Sequence, residues 1–211
     1  MRRRGVLRFC AVTLALTVSV AAAPQPPARL DTTGSIPYFI DDGKLVRGYV
    51  DSDRELARFA VEAWARESRG AITFSEAPSA NTAIIRVRWI APEPGLYGET
   101  SRVIVNGKPG AIVNVTPAMT FQGEPIASAA RSDPLLRDTI VYLTCVHELG
   151  HALGLQHTRG FDDIMYSFGL GSDIVQYFMR YRSRLHSRDD IRNYSGLSAK
   201  DTQTLLDLYR N

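Results

Sequence analysis

The sequence predicts a single α+β domain, and three observations carry that prediction. Short runs rich in β-branched and aromatic residues recur through the first half of the chain, one pair of them meeting at an Asn-Gly dipeptide. A helical-period stretch separates the first such run from the second. A second, longer helical stretch follows the last one, closed by a capping residue in front and a glycine behind.

Taken in order, "IPYFID" (36–41) reads as a strand. "DSDRELARFAVEAWARESRG" (51–70) reads as a helix, with Ser52 and Glu55 as a capping box and Gly70 as its stop. Leu56, Phe59, Ala60, Ala63 and Trp64 recur at helical spacing and predict one buried face. "ITFSEA" (72–77) and "AIIRVRWI" (83–90) read as strands, the second alternating through Ile85, Val87 and Trp89. "RVIVNGKPGAIVNV" (102–115) reads as a hairpin around Asn106-Gly107. The long helix starts at Asp133 as cap and Pro134 as first residue, and runs through Leu153 to Gly154.

The two ends of the chain bear on where the protein works. "MRRRGVLRF" is basic, "CAVTLALTVSV" is an apolar run too short for a permanent span, and "SVAAAP" offers small residues for cleavage. Residues 1–23 are therefore expected to be an export signal cut near Ala21–Ala23, with a structureless Pro-rich lead-in over 24–35. The arginine pair fits a twin-arginine route only loosely. Losing Arg2, Arg3, Arg4 and Arg8 takes the formal charge from +3 to −1. Nothing in that balance calls for nucleic acid, and no stable membrane anchor is expected after cleavage. Cys145 is then the one remaining cysteine, so no internal disulfide is expected despite an exported destination. The rest is long enough for one real core, and a monomer is expected.

The chemistry sits in "HELGHALGLQH" (147–157), which holds three of the four histidines. At about 100° per residue, Val141, Tyr142, Cys145, Leu149, Ala152 and Leu153 cluster on one side of the helix. His147 and His151 fall opposite, within about 40° of each other, where two imidazoles can hold one ion. Glu148 lies one residue round, badly placed as a ligand but able to reach a water on the metal. Gly154 ends the helix in a left-handed turn, which lets His157 swing back as third ligand. Three nitrogens leave a tetrahedral position open, the pattern of a catalytic rather than a structural zinc site.

This segment matches the metzincin signature H-E-x-x-H-x-x-G-x-x-H at every fixed position. "DDIMYSFG" supplies the Met-turn that goes with it, with Met165 eight residues after His157. Thr158 after the third histidine, the Met165-Tyr166 pair, "LSAKDTQTLLDLY" (197–209) and "WARESRGAITFSEA" (64–77) make the chain resemble the matrixins, the matrix-metalloprotease-like branch. The resemblance implies a zincin-like catalytic domain over 36–211. It would have a mixed, mostly parallel five-stranded sheet with two long helices, and a small C-terminal subdomain with one helix. It also implies one catalytic Zn2+ on His147, His151 and His157, with Met165 as a packing floor and not a ligand. The implied activity is that of an exported zinc endopeptidase, in which Glu148 is general base to a zinc-bound water and returns the proton to the leaving amine. A polypeptide substrate would lie extended along a sheet edge formed within Leu96–Val105.

Several features depart from the matrixin pattern. No prodomain with a cysteine switch is expected before the first strand, and the histidine-rich loop of a structural zinc is missing. Only His186 stands outside the motif, without ligand spacing beside it, so no second zinc is expected. Calcium is compatible with the chain but indicated by nothing in it. Ser167 stands where matrixins usually carry a proline. The 31 residues between Met165 and Leu197 hold an insert that reads as an extra amphipathic helix. Its Arg180, Arg182, Arg184, Arg188 and Arg192 read as a solvated face. Tyr166 and Cys145 read as packing residues. Two other activities stay open on the residues alone: zinc-dependent hydrolysis of a non-protein amide such as a cell-wall cross-link, or metal binding without catalysis.

Overall fold

The computed structural model describes residues 29–168 and 173–210. The export signal assigned to 1–23 and the lead-in residues 24–28 lie outside the described residues. Five strands, β1 (Ile36–Ile40), β2 (Phe74–Glu76), β3 (Ile85–Trp89), β4 (Gly98–Val105) and β5 (Lys108–Val115), form one sheet in the order β2-β1-β3-β5-β4. β1 is parallel to β2 and β3, and β3 to β5; β4 alone is antiparallel. The β4–β5 turn is the expected Asn106-Gly107, with φ of 51° and 77°. Two left-handed residues give a turn whose twist matches that of the strands it joins. In β3 the expected alternation holds: Ile85, Val87 and Trp89 are buried, while Arg86 turns away to bond the Asp41 carboxylate at 2.7 and 2.9 Å.

Helices α1 (Asp53–Glu67) and α3 (Pro134–Ala152) pack on each other and on the sheet. Leu56, Ala60, Ala63 and Trp64 are fully buried at that contact. Trp64 loses no hydrogen bond there, because its indole Nε1 donates to Val146 O at 2.9 Å. Phe59 is only half-buried, with Arg192 over its ring.

The capping box expected at Ser52 and Glu55 does not form. Ser52 already has a helical backbone (φ −70°, ψ −12°) and makes no side-chain cap bond. A capping oxygen reaches the first-turn N–H groups from extended backbone, so this conformation aims it elsewhere. Asp53 closes the turn instead, accepting from Val50 N at 3.0 Å, while Glu55 is drawn off to Arg188. Asp53 is fully buried and pairs with Arg137 of α3, whose guanidinium also donates to Gly48 O and Pro117 O. α1 ends as expected, with Arg69 and Gly70 both at positive φ.

Asp133 caps α3 as expected, its Oδ1 accepting from Leu135 N at 3.0 Å and Leu136 N at 3.1 Å. Short α2 (Ile126–Ser132) precedes it; seven residues are too few for a helical period to stand out in sequence. Almost the whole circumference of α3 is buried, from Leu136 to Ala152.

The insert folds as the predicted helix, α4 (Ile174–Arg182), followed by a 3-10 turn at Arg188–Asn193 and then α5 (Ala199–Tyr209). It thus adds a second helix to the C-terminal part. Of the five arginines expected to form a solvated face, Arg184 and Arg192 are exposed, whereas Arg180, Arg182 and Arg188 are half-buried. Arg180 pairs with Asp162, Arg182 with Asp133, Arg188 with Glu55 and Asp138, and Arg192 with Glu62. Each carboxylate comes from a distant segment, a complementarity that local spacing does not reveal. The lead-in is likewise ordered earlier than expected: Leu30 is buried and its N–H donates to the Tyr209 hydroxyl, while Asp31 pairs with Lys108. Among the described residues no helix is long and apolar enough to cross a membrane.

Candidate active site

His147 and His151 leave α3 one turn apart. The helix then stops at Leu153, and Gly154 takes φ +105°, a conformation that strains any residue with a Cβ. Gly154 N donates to His151 O at 3.0 Å and Leu155 N to Gly150 O at 2.9 Å, closing the last turn. The reversal brings His157 Nε2 to 3.2 Å from His147 Nε2 and 3.0 Å from His151 Nε2. The sequence-predicted ligands are therefore together, one ligand atom of each lying within 4.8 Å of the others.

The outward nitrogens decide what the inward ones are. His147 Nδ1 lies 2.6 Å from Ile164 O and His151 Nδ1 3.0 Å from Leu155 O. A carbonyl oxygen only accepts, so both Nδ1 atoms carry the proton and both Nε2 atoms present lone pairs. Burial, reinforced by the neighbouring imidazoles, lowers His147 to about 3 against its bond to Ile164. Burial also lowers His151 and His157. The Nε2 lone pairs of His147 and His151 thus converge on His157 Nε2, a cluster of three ring nitrogens suited to a shared cation. Zinc fits this donor set, and the three histidines are positioned to bind a metal ion.

Glu148 points into the same cleft by another path. It is buried, and Thr100 Oγ1 of β4 stands 2.8 Å from its Oε2 and 2.8 Å from its carbonyl oxygen. Burial raises its carboxyl to about 7, the Thr100 bond opposing and Glu99 adding to the rise. Arg102, also on β4, donates to His151 O at 2.6 Å and Ala152 O at 2.9 Å, tying the edge strand to the end of α3.

Below the histidines, Met165 is fully buried. It fits there because residue 150 is glycine: a Cβ at that position would stand 2.4 Å from Met165 Sδ and 3.0 Å from the Trp64 ring. The turn carrying Met165 is held by buried Asp201 of α5, which accepts from Ile164 N at 2.7 Å and Met165 N at 3.4 Å. Thr158 N bonds Met165 O at 2.7 Å, and Asp163 accepts from the Thr158 and Ser198 hydroxyls. Tyr166 packs among Phe161, Phe168 and Tyr177, and Cys145 is core. His186 is exposed on the insert, outside the cluster.

Thr100, Arg102, Asp163 and Asp201 are absent from the sequence reading of the site. Only Asp201 had a signal, as the fourth residue of the Ser198–Asp201 capping box that opens α5. Asp163 sits in the Met-turn itself, while Thr100 and Arg102 reach the site from the edge strand β4.

These residues surround one cleft of about 790 Å3. Its polar floor is His147, Glu148, His151 and His157; its wall is Tyr97, Leu143, Phe168, Ile174, Tyr177 and Phe178. Two of the matrixin departures meet here, since the insert supplies Ile174, Tyr177 and Phe178, and Ser167 also lines the cleft. No curated protein matches the chain. The family model for matrixins matches residues 46–192. That match takes in well over half of the 211 residues and every element from α1 to α4, so the chain belongs to the matrixin family of zinc metalloproteases.

Proposed function

We propose that the protein is an exported endopeptidase that binds a polypeptide extended along the edge of β4 and hydrolyses it with Glu148 as general base. The observation that carries this reading is the convergence of three imidazole Nε2 atoms beside a buried carboxylate that is already held by the edge strand. His147, His151 and His157 would hold zinc, which when bound supplies Lewis acidity, acidifying water and polarising a carbonyl. Thr100 fixes Glu148 Oε2, so Oε1, which takes no protein donor among the described residues, receives the proton of the attacking water. The same carboxyl then delivers that proton to the leaving amine. β4 is the last strand of the sheet, and its outer edge offers main-chain donors and acceptors to an extended peptide. The aromatic wall from α4 shields one side of the reacting group from water. Export rests on the basic segment, apolar run and small residues at the start of the chain.

The test is metal removal and return. Chelated protein should lose peptide hydrolysis and regain it with one equivalent of zinc, and His157→Ala should bind no zinc tightly. Full zinc occupancy without cleavage of any peptide in a broad library would reject the peptidase reading.

A further inference from the structure

Helix α5 meets the site at both of its ends. Near its start, Asp201 holds the Met-turn through Ile164 N. At its last residue, the Tyr209 hydroxyl stands 2.9 Å from Leu153 O and 3.2 Å from Leu30 N. A carbonyl only accepts and a backbone N–H only donates, so this hydroxyl takes the Leu30 hydrogen and gives its own to Leu153. Burial raises the Tyr209 phenol above its ordinary value, which keeps it protonated, and so a donor, at neutral pH. Leu30 and Tyr209 are both buried, where a lost bond leaves an unsatisfied group.

The acceptor lies at a sensitive place. Leu153 is the residue at which α3 stops, and its carbonyl is among those that a helix end cannot pair internally. Arg102 takes His151 O and Ala152 O, and Tyr209 takes Leu153 O. The Leu153–Gly154 peptide is therefore gripped on both sides, because Gly154 N donates to His151 O at 3.0 Å. A planar peptide held at its N–H and at its C=O cannot rotate. The next rotation is that of Gly154 itself, whose φ of +105° begins the reversal toward His157. Glycine resists a shift there least of all residues, so the restraint has to come from its neighbours.

Leu30 is itself anchored on either side. Arg29 lies over the Tyr209 ring at 5.4 Å, Asp31 pairs with Lys108 of β5 at 2.9 Å, and the Leu30 side chain belongs to the core. We infer that Tyr209, aimed by the Leu30 N–H, is a positioning residue for the third metal ligand His157. Arg29–Asp31 is then a strap that holds the active-site turn through that hydroxyl. This role depends on the metal centre and not on which bond the enzyme cleaves.

The test is the rate at which zinc-loaded protein loses its metal to a chromogenic chelator, at one temperature well below every Tm. Tyr209→Phe removes the hydroxyl and keeps the ring, while Leu30→Pro removes the N–H and keeps an apolar side chain. Each should release zinc about 2- to 10-fold faster, the effect of one hydrogen bond, and lower kcat on a cleaved peptide with KM unchanged. The double variant should release it no faster than Tyr209→Phe alone, because both changes break one chain of bonds. Leu30→Ala keeps the N–H and should hold zinc like the wild type even where its Tm falls. A merely structural contact would lower Tm in all of them and leave release and kcat alone. Wild-type release in Tyr209→Phe overturns the role of the hydroxyl. Equal acceleration by Leu30→Ala and Leu30→Pro overturns that of the N–H. Should Leu30→Pro not fold, Tyr209→Phe and Leu30→Ala decide between them. Loaded protein that cleaves no library peptide rejects the peptidase reading, and the release rates still decide the role of the strap.

Discussion

At the scale of single residues, Thr100 and Gly150 show how little of a site lies in its signature. One hydroxyl on the edge strand sits 2.8 Å from both the carboxylate and the carbonyl of Glu148. Thr100→Val keeps the shape and removes the donor, so the carboxylate loses its restraint. Kinetic assay should show kcat lower on the order of tenfold, the magnitude of a hydrogen bond to a charged group. KM and zinc content should hold, and Thr100→Ser should recover most of the loss. Gly150 is the unspecified position inside H-E-x-x-H, yet the fold needs it. Its absent Cβ is the space that Met165 Sδ occupies. Gly150→Ala should cost about 1–3 kcal/mol in denaturant unfolding, as overpacking of a closed core does. The histidines and Glu148 were legible because a helical period and a glycine turn are local, whereas Met165 was reached only through the resemblance to the matrixin Met-turn. Thr100 and Arg102 were not legible, because what they touch lies on helix α3, 48 to 50 residues further along the chain.

At the scale of elements, the C-terminal part is a brace for the site, held by carboxylates. Asp201 ends the backbone of the Met-turn and the first turn of α5 at one buried group. Asp201→Ala would orphan a buried N–H donor at Ile164 and a half-buried one at Ser198, a loss of about 2 kcal/mol. Thermal unfolding checks it, and zinc affinity should weaken with it, because Ile164 O also orients His147. The insert is pinned in the same manner. Burial opposes ionisation of Asp133, but Arg182 and the helix N–H groups more than offset it and lower its pKa; Asp190 is lowered by the Ser187 and His186 N–H groups. A carboxylate lowered on folding stabilises the fold fully above its unfolded pKa, and that contribution is lost as pH falls through the folded value. The part of the stability that Asp133 and Asp190 contribute should therefore be constant above about pH 5 and be lost below about pH 4, apart from the separate titrations of the buried histidines and Glu148. Asp133→Asn should flatten that fall, read by Tm against pH. The amphipathic helix in the insert was legible from its apolar spacing, whereas its role was not. Arg180, Arg182, Arg188 and Arg192 each find a carboxylate on a different segment, so local charge pattern alone gave a solvated face. Ser52 failed as a cap for a related reason: its sequence neighbours fit the box, but Asp53 is drawn inward by Arg137 and sets the turn.

At the scale of the whole molecule, the sheet and the two long helices place a base, three imidazoles and a strand edge around one cleft. The order β2-β1-β3-β5-β4 puts the single antiparallel strand at the rim, beside the helix that carries the ligands. The strand runs, the Asn106-Gly107 turn and the Asp133 cap made these elements readable, whereas the mostly parallel sheet they build was implied by the resemblance to the matrixins. The central claim is that Glu148 moves the proton while the imidazoles hold the metal, and Glu148→Gln divides those two tasks. The amide keeps the size of the side chain but cannot accept a proton as a base, and it leaves all three imidazoles untouched. Zinc content by elemental analysis and peptide turnover should be measured on the same preparation of wild type and variant. The account predicts one zinc per chain in both, with turnover lower in the variant by about 10²- to 10⁴-fold or more. Comparable turnover in the two proteins at equal zinc content would contradict it.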